Sequence, residues 1–97
     1  MSKTYTPEQE QKLYCLALKK WGSEAQLDMV IEECAELIKA IQKYRRGLGD
    51  WREVAEELGD VQNCINQFKH TYPYFEEIRQ SKLERLEALL GDGVINE

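Results

Sequence analysis

Proline and glycine are scarce, at two and six in 97 residues, and they fall between stretches of helical periodicity. The chain therefore reads as helices joined by short turns, an all-α fold. Cysteine is also sparse and badly spaced for chemistry. Cys15, Cys34 and Cys64 are an odd set with no C-x-x-C pair, which argues against both a disulfide framework and a zinc site. They read as reduced core thiols. The single histidine, His70, lies at a helix end and reads as a surface residue. No apolar run approaches the roughly 20 residues that span a bilayer, and the start MSKTYTPEQE lacks the apolar centre of a signal peptide. A cytoplasmic protein with no membrane partner is expected. A basic surplus is missing too: 18 Asp plus Glu stand against 13 Lys plus Arg, so no broad nucleic-acid-binding face is expected.

What the chain does have is helical punctuation. Thr6 followed by Pro7 and Gln9 opens a first helix that carries Leu13, Leu16, Ala17 and Trp21 inward and ends at Gly22. Ser23 with Gln26 repeats the capping spacing and opens a second. Its apolar stripe of Leu27, Val30, Ile31, Cys34, Ile38 and Ile41 centres near Ile38 and Cys34 and runs to Arg45, Arg46 and Gly47. Asp50 with Glu53 opens a third, with Val54, Leu58, Val61, Ile65 and Phe68 on one face to about His70. From about Pro73 a last helix places Phe75, Ile78, Leu83, Leu86 and Leu90 at spacings of three to five, before Gly91 and a polar tail over 91–97 that should fray. Four helices in a bundle-like single domain over 1–97, its core about 6–90, are expected. So short a chain buries little surface alone, and with the apolar spacing of the last helix this predicts a homo-oligomeric helical bundle.

The chemistry sits in two acidic blocks. EECAE holds Glu33 and Glu36, EELGD holds Glu57 and Asp60, and each pair is three residues apart on one helix face. Both pairs flank an apolar stripe, at the border of core and solvent. Two such helices facing each other converge four carboxylates. Without a counter-ion these acids repel and take up protons, whereas a divalent cation holds them ionised. Magnesium suits them best, with manganese as the alternative, because hard oxygen ligands leave coordination positions for water and substrate phosphates.

The run QLDMVIEECAELIKAIQKYRRG, the block EELGDVQNCINQ and the tail SKLERLEALL resemble the MazG-like all-α nucleoside triphosphate pyrophosphohydrolase superfamily, in its short stand-alone bacterial and phage form. The resemblance spans about residues 20 to 90 through the pattern EExxE, a gap, then ExxD. It implies metal ligands at Glu33, Glu36, Glu57 and Asp60, with Glu32 as a base or water-orienting group. It implies hydrolysis of a nucleoside triphosphate between the α and β phosphates, giving the monophosphate and pyrophosphate, by a homodimer or homotetramer. Charge on the pyrophosphate calls for donors, and Lys39, Lys43, Arg45 and Arg46 at the end of the second helix, with Lys69 further off, are the candidates. Trp21 could stack on a base, and Asn63 and Asn66 could read its edge or the sugar. Related dCTP-cleaving enzymes place an aromatic contact one turn after the ExxD acid, where this chain has Cys64, so no single nucleotide is assigned.

Two other readings compete. A di-iron carboxylate bundle needs a histidine three residues after a glutamate, but Lys39 follows Glu36 and Asn63 follows Asp60. A non-enzymatic helical dimerisation module would treat the acids as surface charge and would not respond to magnesium.

Overall fold

The computed structural model describes residues 3–91 and 93–96, and these contain helices and turns with no strand. Three α-helices follow in order: α1 (Pro7–Arg45), α2 (Trp51–Phe68) and α3 (Phe75–Leu90), with a 3-10 turn at Lys69–Thr71 after α2. The all-α expectation holds, but the described residues form three α-helices where four were expected. The first two expected helices run together as α1, whose one non-helical residue is Gly22, at φ 83° and ψ 164°. Only glycine enters that region without torsional strain, so Gly22 bends the rod where it was expected to end it.

The cap at Thr6 forms as the sequence predicts. Thr6 Oγ1 accepts from the Gln9 backbone N–H at 3.1 Å, and the Thr6 N–H donates to Gln9 Oε1 at 2.9 Å. The second capping pair does not carry over, because Gln26 turns away from Ser23 and donates through Nε2 to Gln67 Oε1 on α2 at 3.0 Å. Asp50 caps α2, accepting from the Arg52 N–H at 3.0 Å. Glu53 does not close a box there and instead pairs with Lys43 at 3.9 Å. In the connecting loop, a side chain on Gly49 would come within 3.0 Å of Glu53 Oε2 and 3.3 Å of Lys43 Cβ. A bare backbone is what lets the loop turn tightly against both helices.

Gln26 opposite Gln67 and Lys43 opposite Glu53 set the second limb of α1, residues 23–45, antiparallel to α2. Packing is concentrated between these two elements. Among the described residues the buried ones are Gln26, Ala40 and Cys64, and on α1 the shielded positions 26, 30, 33, 37 and 40 follow the helical repeat. The stripe that meets α2 is thus turned away from the expected centre at Ile38. Ile31 and Ile38 are 69% and 57% exposed, and Leu58 of α2 is 53% exposed. Leu13, Leu16 and Trp21, expected inward, are also about half exposed. Of the three free thiols Cys64 is buried, Cys34 half-buried and Cys15 exposed, so Cys15 is not a core residue.

α3 starts after Tyr74, which takes a left-handed φ of 62°, rather than at Pro73. Its Ile78, Leu83, Leu86, Leu89 and Leu90 are all exposed. The Cα radius of gyration is 16.6 Å, against roughly 12–13 Å for a compact domain of this length. One chain does not enclose its own apolar surface. Of the tail expected to fray, Asp92 and Glu97 lie outside the described residues, while the Asn96 N–H donates to the Gly93 carbonyl at 3.1 Å in a closing turn.

Candidate metal centre and adjoining cavity

Glu33 lies on the α1 face that meets α2, and Glu57 lies on the α2 face that meets α1. Asp60, one turn beyond Glu57, is exposed at the edge of the seam. Each of the three offers a carboxylate oxygen within 4.8 Å of the other two. Such a trio is electrostatically costly in the folded chain. Partial removal from water pushes the Glu33 carboxyl above the ordinary carboxylate range, and Asp60, Glu57 and Glu32 push it further. Glu57 is raised by the same desolvation first, then by Asp60, Glu36 and Glu56. Among the described residues no Lys or Arg pairs with any of the three. Glu57 Oε2 is enclosed and has no hydrogen-bond partner. An enclosed carboxylate oxygen without a donor, beside two further carboxylates, fits a hard divalent cation.

The four acids expected as ligands do not all converge. Glu36 stands outside the group of three and lines a 170 Å³ groove with Lys39, Ala40, Lys43, Glu53, Glu56 and Glu57. It still lies close enough to raise Glu57. Glu32 is exposed beside Glu33. Lys39 and Lys43 thus flank the acids through this groove, with Lys43 drawn toward Glu53. Arg46 lines a separate hollow with Gln42 and Arg45, and its Nε donates to the Gln42 carbonyl at 3.4 Å. Asn66 is half-buried and its Oδ1 accepts from Gln62 Nε2 at 3.4 Å. Lys69 sits in the 3-10 turn, where its charge helps hold Glu76 low, and His70 meets Gln11 at 3.2 Å.

Trp21 and Asn63, taken from distant parts of the sequence, line one cavity of about 580 Å³. Tyr5, Leu13, Tyr14 and Gln67 complete much of its wall. That volume suits a small-molecule ligand. Because Asn63 is one turn from Asp60 on α2, the cavity and the acids adjoin along the helix. Half of the Trp21 surface is exposed, and the Lys20 ammonium lies 5.5 Å from its ring centroid.

Tyr14, Gln26 and Gln67 are functional candidates that the sequence reading passed over. Gln26 looked like a cap residue, yet it is only 2% exposed, holds Gln67 by its amide, and leaves its own Oε1 without a partner. A polar residue at position 26 of the shielded 26, 30, 33, 37, 40 repeat was the available signal. Tyr14 carried none, since its partner Asn63 is 49 residues away. Cys64 is held protonated by burial first, then by Glu33, Asp60 and Cys34, so it acts as small apolar packing behind the acids.

Residues 22–65 match the family model of the MazG nucleotide pyrophosphohydrolase domain. The chain is therefore MazG-like across the helical pair that carries the acids. The matched stretch begins at the bend and takes in Glu33, Glu36, Glu57, Asp60 and Asn63, while Trp21 lies just before it. No curated protein and no solved structure matches the chain.

Proposed function

We propose that the protein is a magnesium-dependent nucleoside triphosphate pyrophosphohydrolase, active as a homo-oligomer in the cytoplasm. It cleaves between the α and β phosphates and releases the monophosphate and pyrophosphate. The observation that carries this reading is the meeting of Glu33, Glu57 and Asp60 within 4.8 Å around an unpartnered Glu57 oxygen, inside the stretch that matches the family.

Glu33, Glu57 and Asp60 would hold the cation, with Glu36 near enough to join from the groove side. When bound, magnesium neutralises triphosphate charge and acidifies a coordinated water. The remaining work falls to side chains. Glu32, exposed beside Glu33, orients or deprotonates the attacking water. Lys39 and Lys43 offer positive charge to the departing pyrophosphate at the N-terminal end of α2, while the cavity of Trp21 and Asn63 receives the nucleoside toward its C-terminal end. The acids lie between these two hollows, which matches the order of a nucleotide: base and sugar, α phosphate, then pyrophosphate.

The open apolar faces of Ile31, Ile38 and α3 also favour association, as a simple dimerisation module would require. The two readings part on magnesium. A panel of ribo- and deoxynucleoside triphosphates, scored for pyrophosphate release with magnesium and with chelator, tests the enzyme directly. Release with magnesium alone is expected. No release from any nucleotide, together with an unchanged melting temperature on adding magnesium, would leave the module reading.

A further inference from the structure

The Tyr14 hydroxyl lies 3.1 Å from Glu10 Oε1 and 3.2 Å from the side-chain amide of Asn63, at the oxygen end as placed. A phenol has one proton, and an ionised carboxylate can only accept. The charge-assisted bond is the stronger, so the Tyr14 proton goes to Glu10. Tyr14 can then meet Asn63 only as an acceptor. The amide satisfies it by half a turn about its last torsion, donating from Nδ2 to Tyr14 and leaving its carbonyl oxygen for the cavity. All three residues line that cavity. One turn further along α2, Gln67 Oε1 accepts from buried Gln26 Nε2 at 3.0 Å.

We infer that Glu10 and Tyr14 are positioning residues that turn Asn63 into a hydrogen-bond acceptor for the nucleoside. This deepens the proposed function and rests on it: the cavity then selects a ligand group that donates at Asn63. A base amino group and a sugar 3′-hydroxyl share that chemistry. Glu10→Gln releases the orientation, because the new amide can donate to Tyr14 as well as accept from it, and when it donates the tyrosine proton is free for Asn63 Oδ1, which then presents Nδ2 to the ligand. Tyr14→Phe removes the constraint altogether.

The test measures kcat and KM for dCTP against dUTP, which exchange an amino group for a carbonyl, and for dCTP against its 2′,3′-dideoxy form, which lacks the hydroxyl. The intact protein and both variants are compared, with affinities for α,β-methylene analogues measured in parallel by calorimetry. Wild type should favour the donor-bearing member of one pair. Glu10→Gln should shrink or invert that preference by about three- to tenfold, in KM with kcat nearly unchanged, and Tyr14→Phe should shrink without inverting it. A merely structural role would lower activity on every nucleotide alike. Hydrolysis by wild type with both ratios unchanged in Glu10→Gln and in Tyr14→Phe overturns this inference and leaves the function standing. Binding of the analogues without hydrolysis by wild type sinks the function, and the calorimetric ratios then decide the inference. No binding of any analogue overturns both.

Discussion

The antiparallel pair of α1 and α2 and the solitary α3 are all amphipathic in sequence but meet opposite fates. The pair turns charge inward: half-buried Glu33 and Glu57 face each other across a seam that also holds Gln26, Ala40 and Cys64. α3 turns its apolar side outward, where Leu83, Leu86, Leu90, Val94 and Ile95 line an open hollow of about 740 Å³ rimmed by Glu76, Glu84 and Glu87. Inward acids lower stability unless they bind something, and outward leucines lower it unless they are covered. Under the proposed function the first region takes a ligand and the second meets another copy of the chain.

The sharpest way to break the contrast is to neutralise the inward acids. Glu33→Gln or Asp60→Asn should reduce hydrolysis by at least about a hundredfold, with far-ultraviolet circular dichroism unchanged, because neither residue supports the helices. Normal turnover in either variant would remove it from the ligand set. The matching change on the other side, Leu86→Lys with Leu90→Lys, should lower the mass seen by light scattering to that of one chain. An unaltered oligomer would move the contact to Ile31 and Ile38.

Smaller effects separate bend from seam. Gly22→Ala should destabilise the fold by roughly 1–3 kcal/mol in chemical denaturation, since the strain is torsional and nothing would touch the new methyl. A loss below a few tenths would mean that α1 straightens without penalty. The mildest is a pH effect. Glu33 and Glu57 are raised in the fold, so without metal their contribution is fully favourable below about pH 4.5, their unfolded value, and is lost as pH rises through the raised folded values. Magnesium needs the ionised forms. The gain in melting temperature from magnesium should therefore be largest near pH 7 and shrink toward pH 5. A gain that is flat over this range would place the ion elsewhere. Glu76 runs the other way, held at about 2 by the Arg79 guanidinium, but its side chain is more than half exposed and adds little.

Much of this was legible before folding. Thr6 and Asp50 cap as their neighbours imply, and the three-residue spacings put Glu57 and Asp60 on adjacent turns because a helix repeats every 3.6 residues. The orientation of α1 was not. Its second limb is apolar on two sides, and periodicity alone does not say which side a partner helix takes. The centre expected at Ile38 fell on the open side, while Leu37 and Ala40 took the closed one. The same rotation carried Glu33 into the seam and left Glu36 in the groove.

Residue order alone determined that the chain is helical, where most helices start and stop, and which acids can share a face, since caps, glycines and helical repeat act within a few residues. Only the tertiary structure decided that Gly22 bends a helix rather than ending it, that three of four acids meet, and that Tyr14 reaches Asn63. Those outcomes depend on how two helices roll against each other. Rolling is set by packing between residues far apart in sequence, which no local pattern encodes.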